Sequence, residues 1–329
     1  MVRPMGPVLG VEGGGNHSHA IVVDASGALL GVGANDDAAN WDDVGISAAG
    51  AAIRSCVLEA LDGPGLSAAE VEASVIAVGG VDFPMDEQRL SGIPVAIGLG
   101  KPSRIVNDAF AAMRAGTDRP FGVVVIAANG TVVAGRNPEG REFRSLGMGP
   151  VFGDSGSETD LSQAAVTAVA LAYLDRGPRT VLTQLFCDGS GVGSVIEFLE
   201  GASRGRIDPV AFAPTIIQAA EDGDMVARML ITRSGETLGA TAAHVATKLE
   251  MRDIEFDLVL AGGMFRAGAV IVDALEGCVR PVAPQVRLCR LEAPPVVGSA
   301  LLAIELSGRT PPGRPASRAR ERGREHPRD

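Results

Sequence analysis

The sequence predicts an α/β protein of two similar lobes, each a mixed five-stranded sheet with helices. Three observations lead to this fold class. The order strand–strand–strand–helix–strand–helix–strand begins near residue 8 and restarts near residue 122, with extra helices the second time. Each copy opens on strands joined by glycine-containing turns. At 329 residues the chain is long enough for two domains with buried cores. The repetition is of topology, without a sequence repeat. Two such lobes imply a cleft between them, a common place for a ligand.

The first lobe, 1–118, opens with strands at Val8–Glu12, Ala20–Asp24 and Ala28–Ala34, the last two joined by the hairpin signal Asp24-Ala25-Ser26-Gly27. Ile46–Leu61 is Ala-rich and helical, and Asp62-Gly63-Pro64-Gly65 ends it. Ser74–Val78 is an apolar strand before Gly79-Gly80. Arg104–Val106 is another, with a helix after Asn107-Asp108. The boundary falls near Gly116–Phe121. The second lobe, 119–307, repeats the three strands at Gly122–Ala127, Thr131–Asn137 and Glu142–Leu146. Helices are expected at Glu158–Leu174, Asp208–Ala220 and Asp224–Met251, the last with apolar residues at helical spacing. Asp257–Ala261 is a strand followed by Gly262-Gly263 and a helix. Gln285–Leu291 is a strand and Val296–Leu306 a closing helix, which could pack back on the first lobe. From 308 on the chain is rich in Arg and Pro with few apolar residues, and is expected to be disordered.

Composition excludes several function classes. Hydrophobic residues are 46% and charged residues 21% of the chain, as in soluble globular proteins. A formal charge of −11 argues against nucleic-acid binding. No apolar run is expected to span a bilayer and no signal peptide is evident, so a cytoplasmic protein without a membrane partner is the expectation. Cys56, Cys187, Cys278 and Cys289 form no CxxC pair, and read as small buried side chains. His17 and His19 alternate on a strand and share one face; with no third ligand expected nearby, they read as a solvated face.

The glycine turns carry the chemistry. Glu12-Gly13-Gly14-Gly15-Asn16 lies between two strands, so it is neither a P-loop, which needs a Lys, nor a dinucleotide fingerprint, which opens a helix. The two lysines, Lys101 and Lys248, lie elsewhere. The stretch fits both a hairpin turn and an anion-binding concavity of backbone N–H groups. Ala128-Asn129-Gly130-Thr131 is the equivalent turn of the second lobe and holds the same two options. Asp108 and Asp154 each precede a helix. Both fit an N-cap; Asp108 also fits a general base for an attacking hydroxyl.

Together these pieces resemble the N-acetylglucosamine kinase and BadF/BadG-type ATPase group of the actin-like sugar-kinase superfamily. Gly10-Val11-Glu12-Gly13-Gly14-Gly15-Asn16 is similar to the opening G-(D/E)-G-G-G-T, and Asn107-Asp108-Ala109 to the segment with the catalytic Asp. Gly153-Asp154-Ser155-Gly156-Ser157 resembles G-D-E-G-S. Ala261-Gly262-Gly263 resembles the adenosine-side glycines, and Pro294–Ala300 the closing P-x-x-G-A helix. The resemblance spans nearly all of residues 7 to 306. It implies two actin-like (ribonuclease H-like) lobes, ATP and Mg2+ as cofactors, a small-molecule sugar as substrate, and a homodimer. It implies that Asp108 is the base and that Gly13, Gly14, Gly15, Asn16, Gly130, Thr131, Gly262 and Gly263 contact the nucleotide. Glu12 positions the metal, and Asn40, Asn107, Asn129, Gly147 and Asp154 lie on the sugar side. The acceptor is expected to be an amino or N-acetylamino hexose.

The chain departs from the pattern at Asn16 for Thr, Ala128-Asn129 for G-T, Met148 and Pro150 for Trp and His, and Ser155 for Glu. These departures motivate one alternative, a sensor that binds sugar or nucleotide without turnover. A second, a dehydratase-activating ATPase with a cysteine-held iron–sulfur cluster, is disfavoured by where the cysteines lie.

Overall fold

Strand β1 (Val8–Gly13) is buried along its whole length, as an apolar strand with neighbours on both edges must be. The computed structural model describes residues 6–311, and within them the chain forms two units, 6–118 with 295–311, and 119–294. The tail from residue 312 on, for which disorder is expected, lies outside the described residues.

In the first unit, β2 (Ser18–Val23) and β3 (Leu29–Asn35) continue antiparallel from one edge of β1, and β4 (Ala73–Val78) and β5 (Ser103–Asn107) run parallel from the other. The order is β3-β2-β1-β4-β5. Helix α1 (Trp41–Asp62) has a break at Gly45, which takes a left-handed φ of 82°, so its regular part starts at Ile46. Contrary to expectation, α1 is long and apolar enough to cross a membrane. Its Ile53, Cys56, Val57 and Ala60 are buried in the core of this unit, and the helix packs on β2 and β3.

Two short helices, α2 (Pro84–Leu90) and α3 (Gly92–Ile97), supply the crossover between the parallel strands. Their shortness hides the helical period: Pro84 starts one, Pro94 lies in the first turn of the next, and Gly98 ends it in a left-handed conformation. Helix α4 (Asp108–Gly116) follows β5.

The second unit repeats the plan. β6 (Gly122–Ala127), β7 (Thr131–Arg136) and β8 (Glu142–Arg144) form an antiparallel meander, and β9 (Asp257–Ala261) and β10 (Arg287–Arg290) add in parallel, in the order β10-β9-β6-β7-β8. Between β8 and β9 run α5 (Glu158–Tyr173), α6 (Leu182–Ser190), α7 (Val195–Ser203), α8 (Ala213–Glu221) and α9 (Met225–Lys248). The unforeseen α6 and α7 are built around Phe186 and Phe198. With Phe212 these form a cluster of rings whose centroids lie 4.9–5.9 Å apart. Helix α10 (Ala269–Val279) packs on α9.

The closing helix α11 (Pro295–Leu306) corrects the expected boundary. It lies within the span 119–307, yet it packs on β1 and α4 and belongs to the first unit. A Cβ on Gly10 of β1 would lie 2.3 Å from the Ala300 backbone nitrogen, so only glycine admits the helix there. Arg114 of α4, nearly fully buried, donates from Nε to Glu305 Oε1 at 2.7 Å.

All four cysteines are free, and Cys56 and Cys187 are buried. Burial raises both thiols, that of Cys56 to about 12. These two therefore carry almost no thiolate at neutral pH and should not react with an aromatic disulfide reagent until the chain is unfolded. Mass spectrometry of the native, labelled protein checks this; Cys56 labelled at the rate of a free thiol would contradict it.

Candidate active site

The parallel ladder aligns three strand ends. Gly13 pairs with Val78, and Val78 with Asn107, so the chain leaves β1, β4 and β5 at one edge of the first unit's sheet. In open α/β sheets ligands bind outside this carboxyl edge. The glycine turn, Gly79-Gly80 and Asn107-Asp108 leave it side by side. A strand spacing of ~4.8 Å puts β5 roughly 10 Å from β1.

The Gly14 N–H donates to the His17 carbonyl at 3.0 Å, closing a hairpin with Gly15 and Asn16 at its tip. Ala39 and Asn40 donate their N–H groups to the Gly14 carbonyl at 2.9 and 3.1 Å, and Gly79 to that of Gly13 at 3.1 Å. The glycines play different parts. A Cβ on Gly13 would lie 2.6 Å from that of Ala39, so Gly13 is a packing residue; one on Gly15 would meet nothing within 4 Å. The part open to a ligand is the tip. There the Asn16 side-chain oxygen accepts from His17 Nδ1 at 2.8 Å.

Beneath the tip the Glu12 carboxylate is buried. Its Oε2 lies 3.2 Å from His17 Nε2 and 3.5 Å from His19 Nδ1. The expectation that the two histidines have no third ligand nearby is corrected: β-pairing sets Glu12 directly opposite His19. That neighbour comes from the adjacent strand, which spacing along one strand cannot show.

Asn107 caps α4, accepting from the Ala109 N–H at 3.1 Å, and its amide donates to the Val81 carbonyl and to Asp82. Asp108 is therefore the first helical residue, half-buried, and not the cap. Asn40 caps α1 by accepting from the Asp42 N–H at 3.3 Å, and its amide donates to Asp43 at 2.7 Å. The structure thus brings Glu12–Asn16, Asn40, Asn107 and Asp108 to one region of the first unit.

In the second unit Ile126 of β6 pairs with Ala261 of β9, so the turns after both strands share an edge. Asn129 and Gly130 form the exposed tip of the β6–β7 turn. Thr131 is buried, and its hydroxyl makes no hydrogen bond among the described residues. Gly262 has a φ of 102°, and a Cβ there would lie 2.2 Å from the Ala127 carbonyl oxygen, so the two turns touch. Glu158 locks them. Its N–H donates to the Ala128 carbonyl at 2.7 Å, and its carboxylate meets Arg266 at 3.4 Å beside Gly263. Sequence reasoning gave Glu158 no role, because its partners come from two distant segments, the β6–β7 turn and the turn after β9.

Asp154 is buried and accepts from the Met148 N–H at 3.2 Å. It is not a cap; Ser157, in a capping box with Asp160, starts α5. Asp154 instead braces the loop that holds Gly147 and Gly149, both at left-handed φ. This second unit also has a pocket of about 390 Å3, lined by Leu260, Val272 and Leu288 with Asp273 and Arg290.

The model of the BadF/BadG/BcrA/BcrD ATPase family matches residues 9–303. The chain belongs to this family. Among its relatives is an N-acetylmuramic acid/N-acetylglucosamine kinase of Clostridium acetobutylicum, 23% identical over 90% of this chain and 97% of the relative. An N-acetyl-D-glucosamine kinase of Dictyostelium discoideum is 26% identical over the same shares. Among solved structures, a candidate N-acetylglucosamine kinase from Chromobacterium violaceum superposes with a TM-score of 0.67 at 22% identity, over 91% of this chain and 99% of that one. In this BadF/BadG/BcrA/BcrD ATPase, both sheets follow the same strand plan, with the turns discussed above at their carboxyl edges.

Proposed function

We propose that this protein is a sugar kinase that transfers the γ-phosphoryl group of ATP to a hydroxyl of an amino or N-acetylamino hexose. The observation that carries the reading is the alignment of Gly13, Val78 and Asn107, which sets Asp108 on the same sheet edge as the glycine turn. Family membership and the names of the two curated relatives support the reaction and the acceptor class.

The residues take these roles. Backbone N–H groups of Gly15-Asn16 and of Asn129-Gly130 donate to phosphate oxygens, as exposed glycine turns can. The Gly262-Gly263 turn, held against Ala127, flanks the nucleotide. Asp108 accepts the proton of the attacking hydroxyl, while Asn40, Asn107 and Asp154 fix the loops that orient the sugar. Mg2+, when bound with the nucleotide, neutralises phosphate charge. Glu12 is the carboxylate that would hold it, and its buried Oε2, which makes no hydrogen bond among the described residues, fits a cation. On the family resemblance alone, the same reading takes the protein as homodimeric.

A screen of ATP consumption over glucosamine, N-acetylglucosamine, glucose, N-acetylmuramic acid and anhydro-sugars tests the reading. ADP release should require an amino or N-acetylamino hexose. ADP release no faster with any of these sugars than without would sink it, and tight sugar binding in that case would make the protein a sensor.

A further inference from the structure

We propose that Glu12, His17 and His19 form a binding site for a borderline divalent metal ion of the Zn2+ class. The proposal does not rest on the kinase reading, and it assigns the Glu12 carboxylate to this ion in place of Mg2+. It starts from a conflict in the hairpin between β1 and β2. The Glu12 side chain is 7% exposed, and its Oε2 makes no hydrogen bond among the described residues. Two imidazole nitrogens face that oxygen, His17 Nε2 at 3.2 Å and His19 Nδ1 at 3.5 Å. His17 Nδ1 meets the side-chain oxygen of Asn16 at 2.8 Å, and since that oxygen can only accept, Nδ1 carries a proton. His17 Nε2 and His19 Nδ1 therefore face the carboxylate as groups that either a proton or a metal ion can join to it, and a buried carboxylate needs one or the other.

The distances fit a metal. Tetrahedral Zn2+ with bonds of roughly 2.0–2.2 Å sets neighbouring ligand atoms about 3.3 Å apart. The two distances to Oε2 bracket that value, and all three ligand atoms lie within 4.8 Å of one another. The His19 imidazole is about 40% exposed, so its ring can turn to close the remaining gap. The donor set selects the ion. Mg2+ takes oxygen ligands and keeps its water, whereas two imidazoles and one carboxylate suit Zn2+, Co2+ and Ni2+. Asn16 plays the part usual for the outer partner of a metal-bound histidine, fixing the tautomer and the ring. This gives the Asn at the family's Thr position a function of its own. Three protein ligands would leave one position of a tetrahedral ion open.

The test is a titration of the full-length, chelator-stripped protein with Co2+, followed by its visible ligand-field bands, and with Zn2+ against a chromophoric chelator, in the absence of nucleotide and sugar. One equivalent should bind with the intense absorption of a low-coordinate Co2+ site. His17→Ala/His19→Ala should abolish the band and weaken Zn2+ binding by more than about 100-fold; Asn16→Ala should weaken it by about 10-fold. Histidine side-chain NMR should show the His17 and His19 resonances moving on Zn2+ addition while that of His244 stays. The single variants His17→Gln and His19→Gln, at half-exposed positions, keep the test open if the double variant misfolds. An unchanged affinity and spectrum in the variants would overturn the site and place any bound metal elsewhere. A wild-type spectrum of free aqueous Co2+ would overturn it too and leave a plain Glu–His ion pair. Neither result bears on the sugar screen, so failure of one reading is distinguishable from failure of the other.

Discussion

Asp108→Asn should reduce turnover by roughly two orders of magnitude or more, the contribution of a positioned general base, equivalent to about 2.7 kcal/mol of barrier. The position decides the argument. Asp108 follows β5, two strands from the glycine turn, on the sheet edge where all three parallel strands end. The helix does not need it as a cap, because Asn107 already accepts from the Ala109 N–H. The isosteric amide keeps size and polarity, so α4 and the fold should be undisturbed, and affinity for ATP and for the sugar should change little. The expected signature is a fall in kcat without a matching rise in KM. Steady-state kinetics with the best sugar from the screen, beside circular dichroism and nucleotide binding, measures it. Turnover near the wild-type level in the folded variant would remove Asp108 from the reaction.

Most of the fold was legible because its signals are local. Val75–Val78 and Val123–Ala127 are apolar runs with a glycine at one end, and each lies in an interior strand buried along most or all of its length. The hairpin turns were legible for the same reason, since Gly14, Gly27, Gly130 and Gly140 mark them. What escaped depends on pairing between distant residues. Nothing in the spacing of His17 and His19 shows that Glu12 sits opposite His19, since that is a fact of register between two strands. The cap at Asn107 was hidden by its neighbour, because Asn and Asp compete equally well for the role and only the backbone decides which stands one residue earlier. Glu158 reads as an ordinary first-turn acid of α5, and only the fold brings it to Ala128 and Arg266. Helices α6 and α7 have nine residues each, too short for their period to stand out, and they form because three phenylalanines meet.

The closing helix is the case where distance in sequence matters most, and Glu305→Ala should expose it by destabilising the first unit by about 3–5 kcal/mol. Arg114 is 4% exposed, and its guanidinium is held by Glu305 Oε1 at 2.7 Å and by the Thr117 carbonyl at 2.8 Å. Removing the carboxylate leaves a buried positive charge without its counter-ion, bonded to neutral acceptors such as the Thr117 carbonyl. That loss exceeds the worth of the pair itself, because the desolvation of the arginine is no longer offset. The chain's single tryptophan, Trp41, begins α1 in the first unit and reports on its unfolding. With a urea m-value of about 2 kcal/mol/M, the Trp41 fluorescence transition should move down by roughly 2 M. An apolar pair should behave differently: Arg114→Met/Glu305→Leu removes both charges and should restore most of the midpoint. A Trp41 transition that stays in place in Glu305→Ala would mean that α11 contributes nothing to the unit it packs on. A double variant no better than the single would trace the loss to packing rather than to the stranded charge.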